Sequence, residues 1–364
     1  MAQTPPLEKI GFYTLSDYRA TQISTDSPLW RCELILTDTC NFTCPYCRGI
    51  EEKNRGDMSW EDASFIVTMW GEAKLKNIRF SGGEPTMWHV VDTSGSKRNL
   101  IDLVKLAKDV GIERIAVSTN GSIKTSFYLD LIKAGVNDFS ISLDSCCAET
   151  GDKMAGNKPG AWHKVIHNIK TLSEHTYVTV GVVFTPENAE EFLDLVAFAD
   201  TLGVHDIRIL SSAQWNKGFY DIKLDPTFLA KYPILKYRME HFAGDRHVRG
   251  IRETDSHTCP LMQDDMAILN GNHYPCIIYM REQGAPVGKV DFRATPQDAI
   301  KRVRQERLEW IETNDTHTNA ICSKNCLDVC VDFNNKINDT NAGSPKLRES
   351  LKRKTIFPLK VIAD

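Results

Sequence analysis

Three cysteines stand together in the run Cys40-Asn-Phe-Thr-Cys44-Pro-Tyr-Cys47. Thiolates at this spacing in one loop can hold three irons of a cubane. The fourth iron is then left without a protein ligand, and an open position is what a metal centre needs to bind a substrate. A structural zinc ion would instead be closed by four tetrahedral N or S ligands. No fourth ligand lies at a suitable local spacing, although His89 could arrive from elsewhere in the chain.

A second group lies towards the C-terminus: Cys259, then Cys276 at the end of Gly271-Asn-His-Tyr-Pro-Cys276, then Cys322-Ser-Lys-Asn-Cys326-Leu-Asp-Val-Cys330. Five thiols suffice for one fully ligated cluster, and four of them would also suit zinc. Cys32, Cys146 and Cys147 lie apart and complete a total of 11 cysteines. Secreted proteins use so many for disulfides, but mostly in short scaffolds. In a chain of 364 residues, cysteines clustered at short spacings point to metal.

The elements that must position these residues alternate in type. Short β-branched runs at Cys32–Leu36, Ile78–Phe80, Ile115–Ser118, Phe139–Leu143, Val178–Phe184 and Ile207–Leu210 read as strands. Amphipathic helices fill the gaps. Ser59 and Asp62 form a capping box ahead of a stripe of Ala63, Ile66, Val67 and Trp70. Leu100, Leu103, Val104 and Ala107 repeat the stripe, with Gly111 as C-terminal cap. Helices at Thr125–Lys133, Ala161–Leu172 and Glu190–Leu202 follow. Such alternation predicts parallel strands with right-handed crossovers, and about six βα units predict an α/β partial (βα)6 barrel rather than a closed one of eight.

Barrel active sites lie at the C-terminal ends of strands, and polar segments fall there. Ser81-Gly82-Gly83-Glu84-Pro85-Thr86 ends the second strand, Ser118-Thr119-Asn120-Gly121 the third and Ser142-Leu143-Asp144-Ser145 the fourth. Alone, Gly-Gly and Glu-Pro are turn dipeptides. Arg208, Gln214, Trp215 and Asn216 sit at or just past the last strand and could face a substrate or solvent. The alternation stops after residue 212, in an irregular, aromatic-rich stretch. The expected division is an extension over 1–29, a barrel over 30–245, a cysteine-bearing domain over 246–345 and a basic tail over 346–364.

A net charge of -4 excludes general attraction to nucleic acid or anionic membrane, although the tail carries Lys346, Arg348, Lys352, Arg353, Lys354 and Lys360 against Glu349 alone and could touch phosphate. No apolar run approaches the ~20 residues of a membrane span. Met1 to Lys9 has no signal-peptide core, so a cytoplasmic location is expected.

The CxxxCxxC loop, with the aromatic Tyr46 before its last cysteine, resembles the signature of the radical S-adenosylmethionine (SAM) superfamily. The resemblance spans about residues 30 to 212 and includes the Gly82-Gly83-Glu84-Pro85 segment. It implies a [4Fe–4S] cluster on Cys40, Cys44 and Cys47. It implies SAM contacts from Tyr46, Ser81, Gly82, Gly83, Glu84, Pro85, Ser118, Asn120, Ser142 and Asp144, with Glu84 accepting from the SAM ammonium. In such enzymes the reduced cluster passes an electron to the sulfonium, and the 5'-deoxyadenosyl radical takes a hydrogen atom from the substrate. A one-electron donor such as flavodoxin or ferredoxin is implied too.

The later cysteines look like the auxiliary-cluster extensions called SPASM and twitch. The full SPASM type needs more cysteines than remain here, so the twitch type is expected. Its [4Fe–4S] cluster would be held by Cys259, Cys276, Cys322 and either Cys326 or Cys330. The CxxxCxxxC spacing departs from the pattern and leaves that choice open. By likeness to radical SAM epimerases, Cys146, Cys147 or Cys330 could give a hydrogen atom to a substrate radical. As loop residues, the first two could equally be buried small hydrophobes. About 30 residues precede the barrel, too few for the peptide-binding domain of many peptide-modifying relatives.

Three functions compete: an epimerase or dehydrogenase of a small metabolite; a radical isomerase in nucleotide or phage-type DNA thymidine hypermodification; and a zinc-binding interaction protein. The substrate expected is a small molecule or nucleotide-like, with nucleic acid reached through the tail and no membrane.

Overall fold

Residues alternate along the first strand, β1 (Arg31–Ile35): Cys32 and Leu34 point one way, Arg31 and Glu33 the other. The apolar side is fully buried, and it continues with Ile78 and Phe80, Ile115 and Val117, Phe139 and Ile141, Val178 and Val180, and Ile207 and Ile209. Burying each such side chain contributes roughly 1.5–3 kcal/mol, and these pairs form the seam between strands and helices.

The structure is a computed structural model and describes residues 7, 17–48, 56–213, 215, 216, 221–244 and 246–341. Gln214 and the basic tail from 346 onward therefore lie outside the described residues. The strands in chain order are β1, β2 (Asn77–Ser81), β3 (His89–Val91), β4 (Lys97–Asn99), β5 (Arg114–Thr119), β6 (Asp138–Ser142), β7 (Tyr177–Phe184), β8 (Asp206–Ser211), β9 (Asp265–Leu269), β10 (Asn272–Tyr274) and β11 (Gly288–Lys289). Strands β1, β2, β5, β6, β7 and β8 pair in parallel in that order. Helices Trp60–Glu72, Leu100–Asp109, Thr125–Ala134, Ala161–Ser173, Phe192–Thr201 and Pro233–Ala243 follow them in turn, giving a half-barrel of six βα units. Ser59 caps the first helix through Asp62 N–H, and Asn99 with Asp102 makes a capping box for the second. Gly111 ends it in the left-handed region, φ 84°.

The C-terminal third extends this same sheet. β9 lies parallel to β1, with Cys32 opposite Met266, and β10 and β11 add antiparallel strands beyond it. Sheet order is therefore β11-β10-β9-β1-β2-β5-β6-β7-β8, continuous across the boundary expected near residue 245. Asn270 (φ 49°) and Gly271 (φ 75°) form the two-residue turn between β9 and β10, which suits the type I′ geometry of an Asn-Gly hairpin. Helix Pro296–Thr313 packs against helix Trp60–Glu72. From it Arg307, 3% exposed, donates to the carbonyls of Met262, Tyr274, Asp265 and Pro275. No helix among the described residues is long and apolar enough to cross a membrane.

Candidate active site

The three-cysteine loop leaves β1 and is held against the end of β2. Gly83 N–H donates to Thr37 O (2.7 Å) and Glu84 N–H to Thr39 O (2.8 Å). A Cβ on Gly82 would lie 2.4 Å from Thr37 O, and one on Gly83 would lie 2.4 Å from Thr39 O. Only glycine allows this approach, so the glycines seat the cysteine loop.

Glu84 is fully buried. Its Oε1 accepts from Thr86 N (3.2 Å), Thr86 Oγ1 (2.6 Å) and Thr119 Oγ1 (2.7 Å), and its Oε2 accepts from Asn120 N (2.7 Å). Burial raises its pKa against these bonds. The Glu84 carboxylate, expected to take the SAM ammonium, accepts from these protein donors and ties β2 to β5. Pro85 is likewise buried, Ser81 Oγ donates to Glu33 Oε1 (2.8 Å), and Ser118 Oγ accepts from Arg79 Nη1 (3.0 Å). Of the ten expected SAM contacts, the side chains of Glu84, Pro85, Ser81 and Ser118 thus meet protein partners or are buried, and Gly82 and Gly83 seat the cysteine loop.

The rest converge. Cys44, Tyr46, Asn120, Ser142 and Asp144 line one open cleft of about 430 Å³ together with Phe42, Leu143, Trp162 and Val165. Tyr46 hydroxyl donates to Asp144 Oδ2, and Val183 N–H donates to Oδ1 (3.1 Å). Burial pushes Asp144 up to about 6, against both hydrogen bonds. Cys40 Sγ accepts from Phe42 N–H (3.4 Å) and Asn120 Nδ2 (3.7 Å). Burial pushes Cys44 up to about 12, with Asp144 adding to it, and raises Cys40. Thiols so placed, with N–H donors aimed at sulfur, fit ligation by cationic iron, which supplies the charge that their deprotonation needs.

The C-terminal cysteines also come together. Cys276 Sγ accepts from Tyr279 N–H (3.4 Å) and Cys259 Sγ from Asn334 Nδ2 (3.5 Å). Gly250 N–H donates to Cys326 O (2.9 Å), bringing the strip before Cys259 alongside the Cys322–Cys330 run. The thiols of Cys259, Cys276, Cys322, Cys326 and Cys330 all act on one another electrostatically. Burial pushes Cys259 up to about 11. Cys326 and Cys330 each act on the other's thiol, and Cys326 Sγ lies 3.8 Å from Leu327 O. Among the described residues, no group of three or more His, Cys, Asp or Glu is gathered as a single metal ion requires. Cubane ligands sit on different irons and need no such convergence. His89 lies exposed on β3 with Nδ1 against Met87 O (2.8 Å). Arg48, paired with Glu282, is within electrostatic reach of both Cys47 and Cys276.

Cys146 and Cys147 do not line the cleft. Cys146 Sγ lies 3.7 Å from Glu191 Oε2, and Cys147 Sγ lies 3.3 Å from Thr150 Oγ1, at the head of helix Ala148–Met154. Cys146 thus sits against Glu191, and Cys147 against the helix that it caps.

Sequence reading missed the character of the lumen. Glu33, Arg79, Ser81, Ser118, Ser140 and Arg208 face inward, where a closed barrel packs branched apolar side chains. The period-two alternation carried that signal, because each inward position sits beside an apolar outward one.

This half-barrel carries three thiols in the loop after its first strand. Residues 34–199 match the sequence model of the radical SAM superfamily, and the chain carries a radical SAM domain over that span. That family implies one [4Fe–4S] cluster and SAM. Among curated relatives, a protein named "Probable GTP 3',8-cyclase" from Saccharolobus islandicus is 28% identical over 188 residues, 50% of this chain and 57% of that protein. Its namesake from Sulfurisphaera tokodaii is 26% identical over 178 residues, 48% and 53% of the two chains. The matches thus span little more than half the length of these relatives. Among solved structures, Streptococcus suis SuiB bound to its precursor peptide SuiA aligns with a TM-score of 0.58 at 16% identity, over 88% of this chain and 74% of that one. The enzyme anSMEcpe with bound AdoMet gives 0.54 at 15% identity, over 90% and 100%. Both likenesses concern the fold.

Proposed function

We propose that this chain is a radical SAM enzyme that binds SAM in the cleft beside Cys40, Cys44 and Cys47 and removes a hydrogen atom from a small polar metabolite in the half-barrel lumen. One observation carries the reading: the three-thiol loop and the cleft lined by Tyr46, Asn120, Ser142 and Asp144 meet at one mouth of the barrel. A [4Fe–4S] cluster on the three thiols would supply one electron to the SAM sulfonium. The chain's residues place and shield. Asn120 couples the loop to β5, donating to Cys40 Sγ and to Asn41 Oδ1 (2.9 Å). Tyr46 orients Asp144, while Phe42, Leu143, Trp162 and Val165 keep water from the cleft.

A second [4Fe–4S] cluster on Cys259, Cys276, Cys322 and one of Cys326 and Cys330 belongs to the proposal, with flavodoxin or ferredoxin as electron source. The polar lumen supports a polar substrate, and the relatives named GTP 3',8-cyclase support a nucleotide-like one. The reaction proposed is an oxidation-neutral isomerisation or epimerisation, supported by a fifth thiol where four suffice; dehydrogenation is the second reading.

Anaerobic reconstitution tests the assignment. About eight irons per chain are expected, with SAM cleaved to 5'-deoxyadenosine under strong reductant and no cleavage by Cys44→Ala. Cleavage by that variant at the wild-type rate sinks the radical SAM reading, and zinc in place of iron favours a non-enzymatic role.

A further inference from the structure

Helix Asp328–Asn341 begins two residues after Cys326, carries Cys330, and turns three asparagines towards the strip that leads into and past Cys259. Asn335 accepts from Ser256 N–H (2.8 Å) and donates to Asp255 Oδ1 (2.9 Å). Asn338 donates to Ser256 Oγ and to Thr258 Oγ1 (3.4 Å). These two hold the chain ahead of the cysteine, whereas Asn334 reaches the cysteine itself. Asn334 is 4% exposed, its Oδ1 accepts from Leu261 N–H (2.9 Å), and its Nδ2 donates to Cys259 Sγ (3.5 Å).

The partners fix the orientation of this amide. A backbone N–H can only donate, so the oxygen faces Leu261 and the N–H₂ group faces sulfur. Leu261 is buried, and its N–H needs the acceptor. The same turn, Pro260–Gln263, is gripped from a second helix by Arg307, whose Nε donates to Met262 O (2.8 Å). Holding Leu261 would by itself account for a polar residue here, but a carboxylate would accept that bond equally well. What the amide adds is a donor, and the donor is directed at sulfur. Cys276 takes its donor from the backbone, at Tyr279 N–H (3.4 Å). The donor to Cys259 is a side chain, so a substitution can remove it. Asn334 also lies four residues after Cys330, on the same face of one helix, so one element carries both a thiol and a donor to another thiol.

We propose that Asn334 is a positioning residue for the C-terminal cluster, orienting Cys259 Sγ and raising the cluster's reduction potential through its N–H···S bond. The inference deepens the reading of Cys259 as an iron ligand and rests on it. A donor draws charge from a thiolate sulfur, and the reduced cluster, more negative by one electron, gains more from this than the oxidised one. Reduction adds that electron and breaks no bond, and the N–H proton stays on Asn334. A raised potential favours passage of an electron into this cluster. Asn334 therefore bears on which of the two proposed reactions the chain can follow.

The test is a redox titration of the anaerobically reconstituted full chain with dithionite at alkaline pH, the reduced cluster being read by electron paramagnetic resonance. Changing Cys40, Cys44 and Cys47 to alanine leaves about four irons and identifies the signal of the C-terminal cluster. In that background Asn334→Leu removes both hydrogen bonds, while Asn334→Asp keeps the acceptor for Leu261 and loses the donor to sulfur. Both should hold their iron and be harder to reduce, by about tenfold in the equilibrium constant, or about 59 mV for one electron. Asn334→Asp should shift further, because it also adds a negative charge. Wild-type potentials with full iron overturn the proposal, even if the unfolding midpoint falls, since a purely structural clamp gives that result. If one variant fails to hold iron, the other decides, and loss from both makes Asn334 a folding residue and overturns the tuning. A background that binds no iron before Asn334 is changed overturns the second-cluster reading as well, whereas four irons at an unmoved potential overturn this inference alone.

Discussion

Glu84 shows what single residues do around the cysteine loop. Four donors converge on its buried carboxylate, from Thr86, Thr119 and Asn120. Glu84→Gln puts an amide N–H₂ against at least one of them, leaving buried donors unpaired. A loss of about 1–3 kcal/mol in unfolding free energy is expected by denaturant titration, with weaker SAM binding because Asn120 shifts. An unchanged midpoint would show that the tie carries little. Gly83→Ala acts through the same contact from the other side. Its Cβ meets backbone oxygens at 2.4 and 2.6 Å, which cannot yield as a flexible side chain would. The expected result is loss of about four irons per chain, read by iron analysis, with the C-terminal set still loaded.

Elements meet through buried charged groups, and two joints can be tested. Asp206 opens β8, is fully buried, and accepts from Ile234 N–H at the start of helix Pro233–Ala243 (3.1 Å). Burial pushes it up to about 7 from an ordinary 3.8, against those backbone donors. The folded state therefore holds its proton more tightly than the unfolded chain does. The stabilisation is complete below about pH 4 and is lost as pH rises through about 7, a few kcal/mol in all at ~1.4 kcal/mol per pH unit. Asp206→Asn should flatten stability over that window, and an identical pH profile would refute the assignment. Arg307 is the second joint, binding four carbonyls around β9 and β10. Arg307→Met should unload the C-terminal cysteines first, since Cys276 follows two of those carbonyls directly. The six βα units were legible because period-two strands and capped amphipathic helices repeat locally. The continuation of the sheet into β9 was not, since a parallel pairing of Arg31 with Asp265 leaves no local trace. The Asn270-Gly271 turn was a local signal, readable as a hairpin. Of the cleft, Tyr46, Asn120, Ser142 and Asp144 were legible from their places at loop and strand ends. The inward turn of Glu84 and Ser81 was not, because side-chain partners 35 or 48 residues away decide it.

At the scale of the molecule, the three-cysteine loop follows the end of β1 while Cys276 follows β10, which runs antiparallel to β9, and Arg48 is within electrostatic reach of both Cys47 and Cys276. If the C-terminal thiols hold the proposed second cluster, the fate of a radical formed in the lumen is the question that this arrangement raises. In one route the radical loses an electron to the second cluster, and SAM is consumed one for one with oxidised product. In the other it accepts a hydrogen atom or rearranges, and the product keeps its oxidation level. Cys146 and Cys147 lie against Glu191 and Thr150, so the discriminating variants are those at Cys326 and Cys330. Cys330 is 4% exposed, so if it is the thiol left free by the proposed cluster it is sheltered from solvent. Turnover in deuterium oxide by the wild type and by Cys326→Ala, Cys330→Ala, Cys146→Ala and Cys147→Ala separates the routes. Deuterium should enter the product and be lost in only one of the first two variants, while that variant still holds about eight irons. The Cys146 and Cys147 variants should label normally. A product two hydrogens lighter than its substrate would assign the enzyme to the dehydrogenases and leave the fifth thiol with a packing role alone.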